Sequence, residues 1–244
     1  VIYVCPRFDK MPPAMLAHCR LYAFPNEPDP PPAGGFDILD SGAFGLSQRG
    51  RAMGREHMES LAEYYRPFAG QPGYHCIAPD VYLDPDRTMR NWRWWQENVA
   101  LPVVPVIQLR KARRVDLFAV QQQARFYAPW RPAFVAISNP GLRAGQSRDM
   151  VHACRIVREE TACAWLHNLG AGWDPRDIAA WRDEAGFDSI DSIAYYTDAR
   201  DGWLWLRGGG RVPATGPWRE TAVANALAAT QIAGLTGFGG GREG

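Results

Sequence analysis

Lysine is almost missing from this 244-residue chain: Lys10 and Lys111 are the only two among 27 basic residues, so arginine carries nearly all of the positive charge. Guanidinium forks suit phosphate recognition, but a GC-rich codon usage produces the same skew, and the skew by itself assigns no partner. Net charge is nearly missing too, at +1, which excludes a uniformly basic nucleic-acid coat while leaving room for a local basic groove. The five cysteines (Cys5, Cys19, Cys76, Cys154 and Cys163) are odd in number, scattered and without a C-x-x-C pair. Neither a disulfide framework nor a zinc ribbon is indicated, and they read as reduced core thiols. No run approaches the roughly 18 consecutive apolar residues of a membrane span, and no basic-then-apolar leader opens the sequence. The expectation is no membrane partner and a cytoplasmic setting. No G-x-G-x-x-G turn follows a strand, which counts against a dinucleotide-binding, doubly wound sheet.

What is present is a rhythm. At 46% apolar and 22% charged residues, the chain suffices for one large core. Apolar, β-branched runs at 1–5 and 20–24 read as strands, with a short helix at 14–19 between them and a proline-rich surface loop at 25–32. Strand-like 36–40 then precedes a helix at 55–68, and 74–80 precedes a helix opened by Asp84-Pro85. Strand 102–108 precedes a helix at 115–130, 134–138 one at 147–160, and 163–170 one opened by Asp174-Pro175; a strand at 187–192 comes last. Asp followed by Pro is an N-cap and first-turn signature. Eight apolar strands separated by helices predict an α/β fold with a parallel sheet, a (β/α)8 TIM barrel forming a single domain over 1–244; an open doubly wound sheet is the alternative. The tail adds a hairpin at 203–211, a helix at 217–233 and a flexible glycine-rich end at 237–244.

In such a barrel the chemistry sits where polar residues terminate apolar strands. Those residues are Asp40 and Ser41, Asp80, Gln108, Ser138 and Asn139, His167 and Asn168, and Asp191. Three carboxylates meeting at one mouth repel, which raises at least one pKa and separates an acid from a base or nucleophile. No Cys or His cluster has ligand spacing, so no metal and no other cofactor is expected, although paired Asp residues suit Mg²⁺. Within the last strand, Asp188 and Asp191 are equivalent candidates by position alone. Arg110, Lys111, Arg113 and Arg114 follow Gln108 directly and are candidate phosphate contacts. The aromatic-basic run from Arg90 to Trp95 places Met89, Trp92 and Trp95 at i, i+3 spacing, which reads as core packing rather than base stacking. His57, His75 and His152 read as structural, while His167 is near enough to a strand end to line the pocket.

These residues carry a resemblance. Leu39-Asp40-Ser41-Gly42-Ala43-Phe44 is similar to the Asp-Ser-Gly-Gly-Phe/Tyr signature of the tRNA-guanine transglycosylase superfamily. Pro79-Asp80, Val106-Ile107-Gln108 and Asn168-Leu169-Gly170-Ala171-Gly172 follow in that family's order. Asp191-Ser192-Ile193-Ala194-Tyr195 and the later Ala199-Arg200-Asp201-Gly202 resemble its archaeal branch. The resemblance implies Asp191 as the nucleophile that attacks C1′, and Asp40 as the acid/base that protonates the departing base and deprotonates the incoming one. Asp80, Gln108 and Ser41 would hold the base edge, Phe44 and Leu169 would sandwich the heterocycle, and Ser138, Asn139 and Gly170 would line the site. Ser138-Asn139 stands where the family has Gly-Gly.

The family's C-terminal Cys-x-Cys-x-x-Cys zinc module has no counterpart in this sequence, which therefore looks more like the branch that inserts 7-deazaguanines into DNA (the DpdA type). The implied partners are nucleic acid, DNA before tRNA, and a preQ0-like 7-deazaguanine base, with a homodimer or partner subunit left open. The implied activity is that of a pentosyltransferase. Chemistry agrees: one carboxylate captures an oxocarbenium-like centre while a second shuttles a proton, on a base that has left the stack. A tRNA enzyme, a deazaguanine nucleoside hydrolase and a non-catalytic nucleic-acid-binding subunit are the alternatives.

Overall fold

The computed structural model describes residues 2–6 by their backbone, together with 19–26, 28, 35–109, 115–138, 147–170, 186–192, 194–206 and 210–232. The fold is mixed α/β. Its strands are β1 (Ile2–Pro6), β2 (Cys19–Ala23), β3 (Phe36–Asp40), β4 (Tyr74–Cys76), β5 (Val106–Gln108), β6 (Phe134–Ser138), β7 (Trp165–Leu169), β8 (Ser189–Asp191), β9 (Trp203–Trp205) and β10 (Arg211–Pro213). The helices are α1 (Ala43–Gln48), α2 (Arg55–Tyr65), α3 (Pro85–Asn98), α4 (Leu117–Tyr127), α5 (Ser147–Thr161), α6 (Ala194–Arg200) and α7 (Trp218–Ile232). Strands β1 to β8 form one parallel sheet in the order β4-β3-β2-β1-β8-β7-β6-β5, and β9 and β10 pair as an antiparallel hairpin. No helix among the described residues is long and apolar enough to cross a membrane.

The ends of that order also meet. Ile77, just past β4, makes a parallel bridge with Val104, just before β5; Val104 N–H donates to Cys76 O at 2.7 Å and Ala78 N–H to Val104 O at 2.9 Å. Strands distant in the order touch through their rings. Phe36 of β3 lies edge-on to Trp165 of β7 at 5.8 Å, and His75 of β4 edge-on to Phe134 of β6 at 4.7 Å. Leu21, Ile38, Ile77, Val104, Val106, Phe134 and Ala136 join this interior cluster. The alternate residues of the same strands, among them Leu39, Cys76, Ile107, Val135, Ile137, Leu166 and Ile190, pack with side chains of the helices. This is the two-residue period of a sheet buried on both faces.

Local chemistry accounts for the helix starts. Asp84 accepts from Arg87 N–H at 2.9 Å with Pro85 in the first turn, and Asp116 accepts from Ala119 N–H at 3.0 Å, so both termini gain a partner for an otherwise unpaired N–H. Trp92 and Trp95 are buried at 3% and 0% exposure, which bears out the core reading of that run; Trp95 Nε1–H donates to Leu101 O. Cys19, Cys76, Cys154 and Cys163 are buried free thiols.

Three differences from the sequence expectation are physical. Strands β4 and β5 cover only parts of 74–80 and 102–108, because Pro79, Pro102 and Pro105 have no N–H for a ladder; between the prolines only the Ile77–Val104 bridge remains. Helices α1, right after Ser41-Gly42, and α6, three residues after β8, have no counterpart in the expected elements. Cys19, expected to end a helix, opens β2, while the rest of that helix, the helix opened by Asp174-Pro175 and the end at 237–244 lie outside the described residues.

Candidate active site

The site begins with a turn. Gly42 sits at φ 77°, ψ 12° as the residue before α1, a left-handed conformation that favours glycine. A Cβ there would also stand 3.4 Å from Phe24 O. This turn lets Asp40 end β3 while Ser41 folds inward. Asp40 Oδ2 accepts from Gly42 N–H at 3.3 Å, and Ser41 Oγ accepts from Ala43 N–H at 3.2 Å.

Ser41 Oγ–H then donates to Asp80 Oδ1 at 2.5 Å, and Gln108 Nε2–H donates to Asp80 Oδ2 at 2.6 Å, so each oxygen of this buried carboxylate is held. Gln108 is itself fixed. Its Oε1 accepts from Leu83 N–H at 3.2 Å, while the Gln123 side chain on α4 accepts from Gln108 N–H at 2.8 Å and donates to Gln108 O at 3.1 Å. From α2, Tyr65 Oη lies 2.8 Å from Leu39 O and 2.9 Å from Ile77 O, where its single proton is shared between carbonyls just upstream of Asp40 and Asp80.

Asp191 ends β8. Its Oδ1 lies 3.0 Å from His167 Nε2 and accepts from Gly170 N–H at 3.0 Å. His167 Nδ1 is 2.8 Å from Ser189 Oγ, and Trp165 Nε1–H donates to the same hydroxyl at 2.7 Å. Asp188 lies on the other face of β8, its Oδ2 accepting from Arg158 Nη2 at 2.7 Å and from Leu166 N–H at 2.6 Å. The two carboxylates that position left equivalent are thereby separated. Asp188→Ala should cost about 1–2 kcal/mol of stability, because one ion pair and one backbone partner are lost at a half-buried site. Urea unfolding measures that loss, while the hydrogen bonds of Asp191 are unchanged.

Asp40 and Asp191 end strands, whereas Asp80 lies four residues past the end of β4, and electrostatics tie the three carboxylates together. Burial, then the negative charges of Asp80 and Asp191, push the Asp40 carboxyl up to about 7. Burial raises Asp80 to about 6 against the hydrogen bonds from Ser41 and Gln108. Deeper in, burial and the neighbouring His167 push the His75 imidazole down, and burial, first, carries the Tyr65 phenol well above its ordinary value. A carboxyl near 7 is poised both to give and to take a proton at neutral pH. Among the described residues no group of three or more His, Cys, Asp or Glu is arranged to hold a metal ion.

Of the other expected site residues, Ser138 is buried at the end of β6, paired in register with Gln108 and Leu169. Leu169 is half-buried and Gly170 faces solvent. Phe44 is 49% exposed and edge-on to Tyr82 at 5.2 Å. Ser41 differs in kind, since its hydroxyl is fully buried and engaged with Asp80, so it shapes that carboxylate from behind. Asn139, Arg110, Lys111, Arg113 and Arg114 lie outside the described residues. A cavity of about 300 Å³ opens beside Asp80, lined by Arg51, Tyr82 and Arg87 among others.

Ser189, Tyr65 and Gln123 are absent from the sequence-based set, and His167 entered it only as a pocket-lining residue. Ser189 had a signal, since it stands two residues before Asp191 and shares its face. Tyr65 and Gln123 reach the site from helices, and no strand-end rule points to them. A scan of family models found none that matches the chain, and a search of curated proteins likewise found no match.

Proposed function

We propose that the parallel sheet closes into a (β/α)8 barrel and that its mouth is a base-exchange transglycosylase site, replacing guanine in DNA by a 7-deazaguanine through a covalent intermediate on Asp191. The Ile77–Val104 bridge and the ring contacts between β3 and β7 and between β4 and β6 support the closure. The observation that carries the chemistry is the convergence of Asp40, Asp80 and Asp191 with Asp40 held near 7. DNA is taken as the polymer from the sequence's resemblance to the DNA-modifying branch. Arg51 and Arg87 on the cavity beside Asp80 support a polyanionic substrate.

In this reading, Asp191 attacks C1′ as the bond from C1′ to the guanine nitrogen breaks. The electron pair leaves on the base, which takes a proton from Asp40. The incoming base then gives its proton to Asp40, and its nitrogen displaces Asp191 from C1′. Asp80, with both oxygens oriented, accepts from the N–H edge of the heterocycle. The lone pairs not engaged by Ser41 and Gln108 are the ones available to it.

Exchange of labelled guanine or preQ0 into duplex DNA, with tRNA and free nucleoside in parallel, tests the proposal. Incorporation into DNA supports it. Incorporation into tRNA alone reassigns the polymer, base release from the nucleoside alone makes the protein a hydrolase, and silence in all three removes the reading. Gln108→Leu should raise KM for the incoming base roughly 10- to 100-fold, the loss expected when a hydrogen bond to a charged group is removed. KM for the polymer, measured in the same assay, should rise less, since its phosphates add contacts that do not depend on Gln108 holding Asp80.

A further inference from the structure

Resting on the reading of Asp191 as nucleophile, we propose that His167 is a positioning residue: it holds Asp191 by Oδ1, leaves Oδ2 to attack, and makes Asp191 the better leaving group in the second half of the exchange.

The protons along this chain have a single arrangement in which each finds an acceptor. Trp165 Nε1 can only donate, so Ser189 Oγ accepts from it. The Ser189 hydroxyl proton must then point elsewhere, and the acceptor within reach among the described residues is His167 Nδ1 at 2.8 Å. With Nδ1 accepting, the imidazole carries its proton on Nε2 and donates to Asp191 Oδ1 at 3.0 Å. Gly170 N–H takes the same oxygen, and Oδ2 has no hydrogen-bond partner among the described residues. The ring is fully buried, with Phe134 edge-on at 6.2 Å, so neither water nor a rotated ring competes for the position.

Two donors on one oxygen do more than orient. When Oδ2 bonds to C1′, Asp191 becomes an ester and Oδ1 its carbonyl oxygen, which accepts hydrogen bonds less strongly than a carboxylate. In the second half the incoming nitrogen bonds to C1′, the C1′–Oδ2 pair returns to Asp191, and Asp40 takes the proton of the base. Negative charge then reappears on Oδ1, facing His167 Nε2–H and Gly170 N–H. These donors therefore favour the free carboxylate over the ester. Losing one slows release of the intermediate more than its formation, and the covalent adduct accumulates.

The test uses the full chain with a guanine-containing oligonucleotide, quenched in acid. His167→Phe removes the donor within similar volume. It should raise the trapped adduct several-fold and slow single-turnover release to an added base roughly 10- to 100-fold, with kcat/KM for the oligonucleotide, which reports adduct formation, unchanged. His167→Gln restores a side-chain N–H donor and should recover most of the release rate. A fall in formation and release together, with no accumulation and no recovery in His167→Gln, overturns the leaving-group role. Long-range ¹H–¹⁵N correlation spectra read the tautomer directly and apply even if His167→Phe does not fold. Nε2–H is expected in the unaltered protein, with a mixture in Ser189→Ala, and an Nδ1–H tautomer in the unaltered protein overturns the proposal. If the unaltered protein forms no adduct with any nucleic acid, the transglycosylase reading and the leaving-group role fall together. The spectra still decide the positioning role, which stands if the Nε2 resonance is Nε2–H and moves in Asp191→Asn.

Discussion

Asp191→Asn protein is expected to fold, to bind oligonucleotide with KM within about 3-fold, and to form no acid-stable covalent adduct, with turnover down by about 10³-fold or more. The asymmetry of its hydrogen bonds is what makes the substitution informative. An asparagine Oδ1 still accepts from His167 Nε2–H and Gly170 N–H, so no buried donor is orphaned and stability changes little. What disappears is the anionic oxygen opposite them, which becomes an NH₂ with no lone pair to offer C1′. An adduct surviving in this variant would remove Asp191 from the nucleophile's role. Asp188→Ala is the matched control, costing stability while leaving the adduct intact, because its partners are Arg158 and Leu166 N–H on the opposite face of β8.

Asp40→Asn is expected to abolish exchange by about 10³-fold while stabilising the fold above pH 7. Asp40 and Asp80 have folded values near 7 and 6, above the ordinary range near 4 that the unfolded chain retains. For a raised carboxyl the folded state holds more protons than the unfolded state between those limits. The associated stability is fully present below about pH 4 and is lost as pH rises through the folded values. Unfolding free energy of the unaltered protein should therefore fall between pH 4 and 8, as buried carboxylates are forced to ionise beside one another. Asparagine at position 40 removes that penalty and should be worth about 1–3 kcal/mol at pH 8, a gain of stability at the expense of function. Urea denaturation at pH 5 and pH 8 measures the difference. A variant whose stability follows the same pH course as the unaltered protein would show that Asp40 does not ionise against its neighbours.

Much of this was legible from short stretches. Phe36-Asp37-Ile38-Leu39-Asp40 and Phe134-Val135-Ala136-Ile137-Ser138 are strands with the bounds their composition predicts, because a buried parallel strand needs little beyond apolar, β-branched residues and a polar stop. The cap at Asp84 is equally local, a side chain meeting an N–H three residues on; Asp116 makes the same contact without the following proline that marks Asp84 in the sequence. Prolines near β4 and β5 shortened strands that apolar character alone extends, since a ladder requires N–H donors as well as burial. Helix α1 escaped notice because six residues are too few for a helical period to register.

What the sequence determined by itself is therefore the alternation of strands and helices and the polar stops of β3, β5, β6 and β8 at Asp40, Gln108, Ser138 and Asp191, since both depend on side-chain character within a few residues. It left Asp188 and Asp191 equivalent by position. Only the tertiary structure decided that Asp191 and not Asp188 acts on Asp40 together with Asp80, that Ser41 and Gln108 act on Asp80 from either side, and that Trp165, Ser189 and His167 line up behind Asp191. Hydrogen bonds and charge repulsion depend on distances between residues tens of positions apart in the chain, and those distances exist only once the strands are in register.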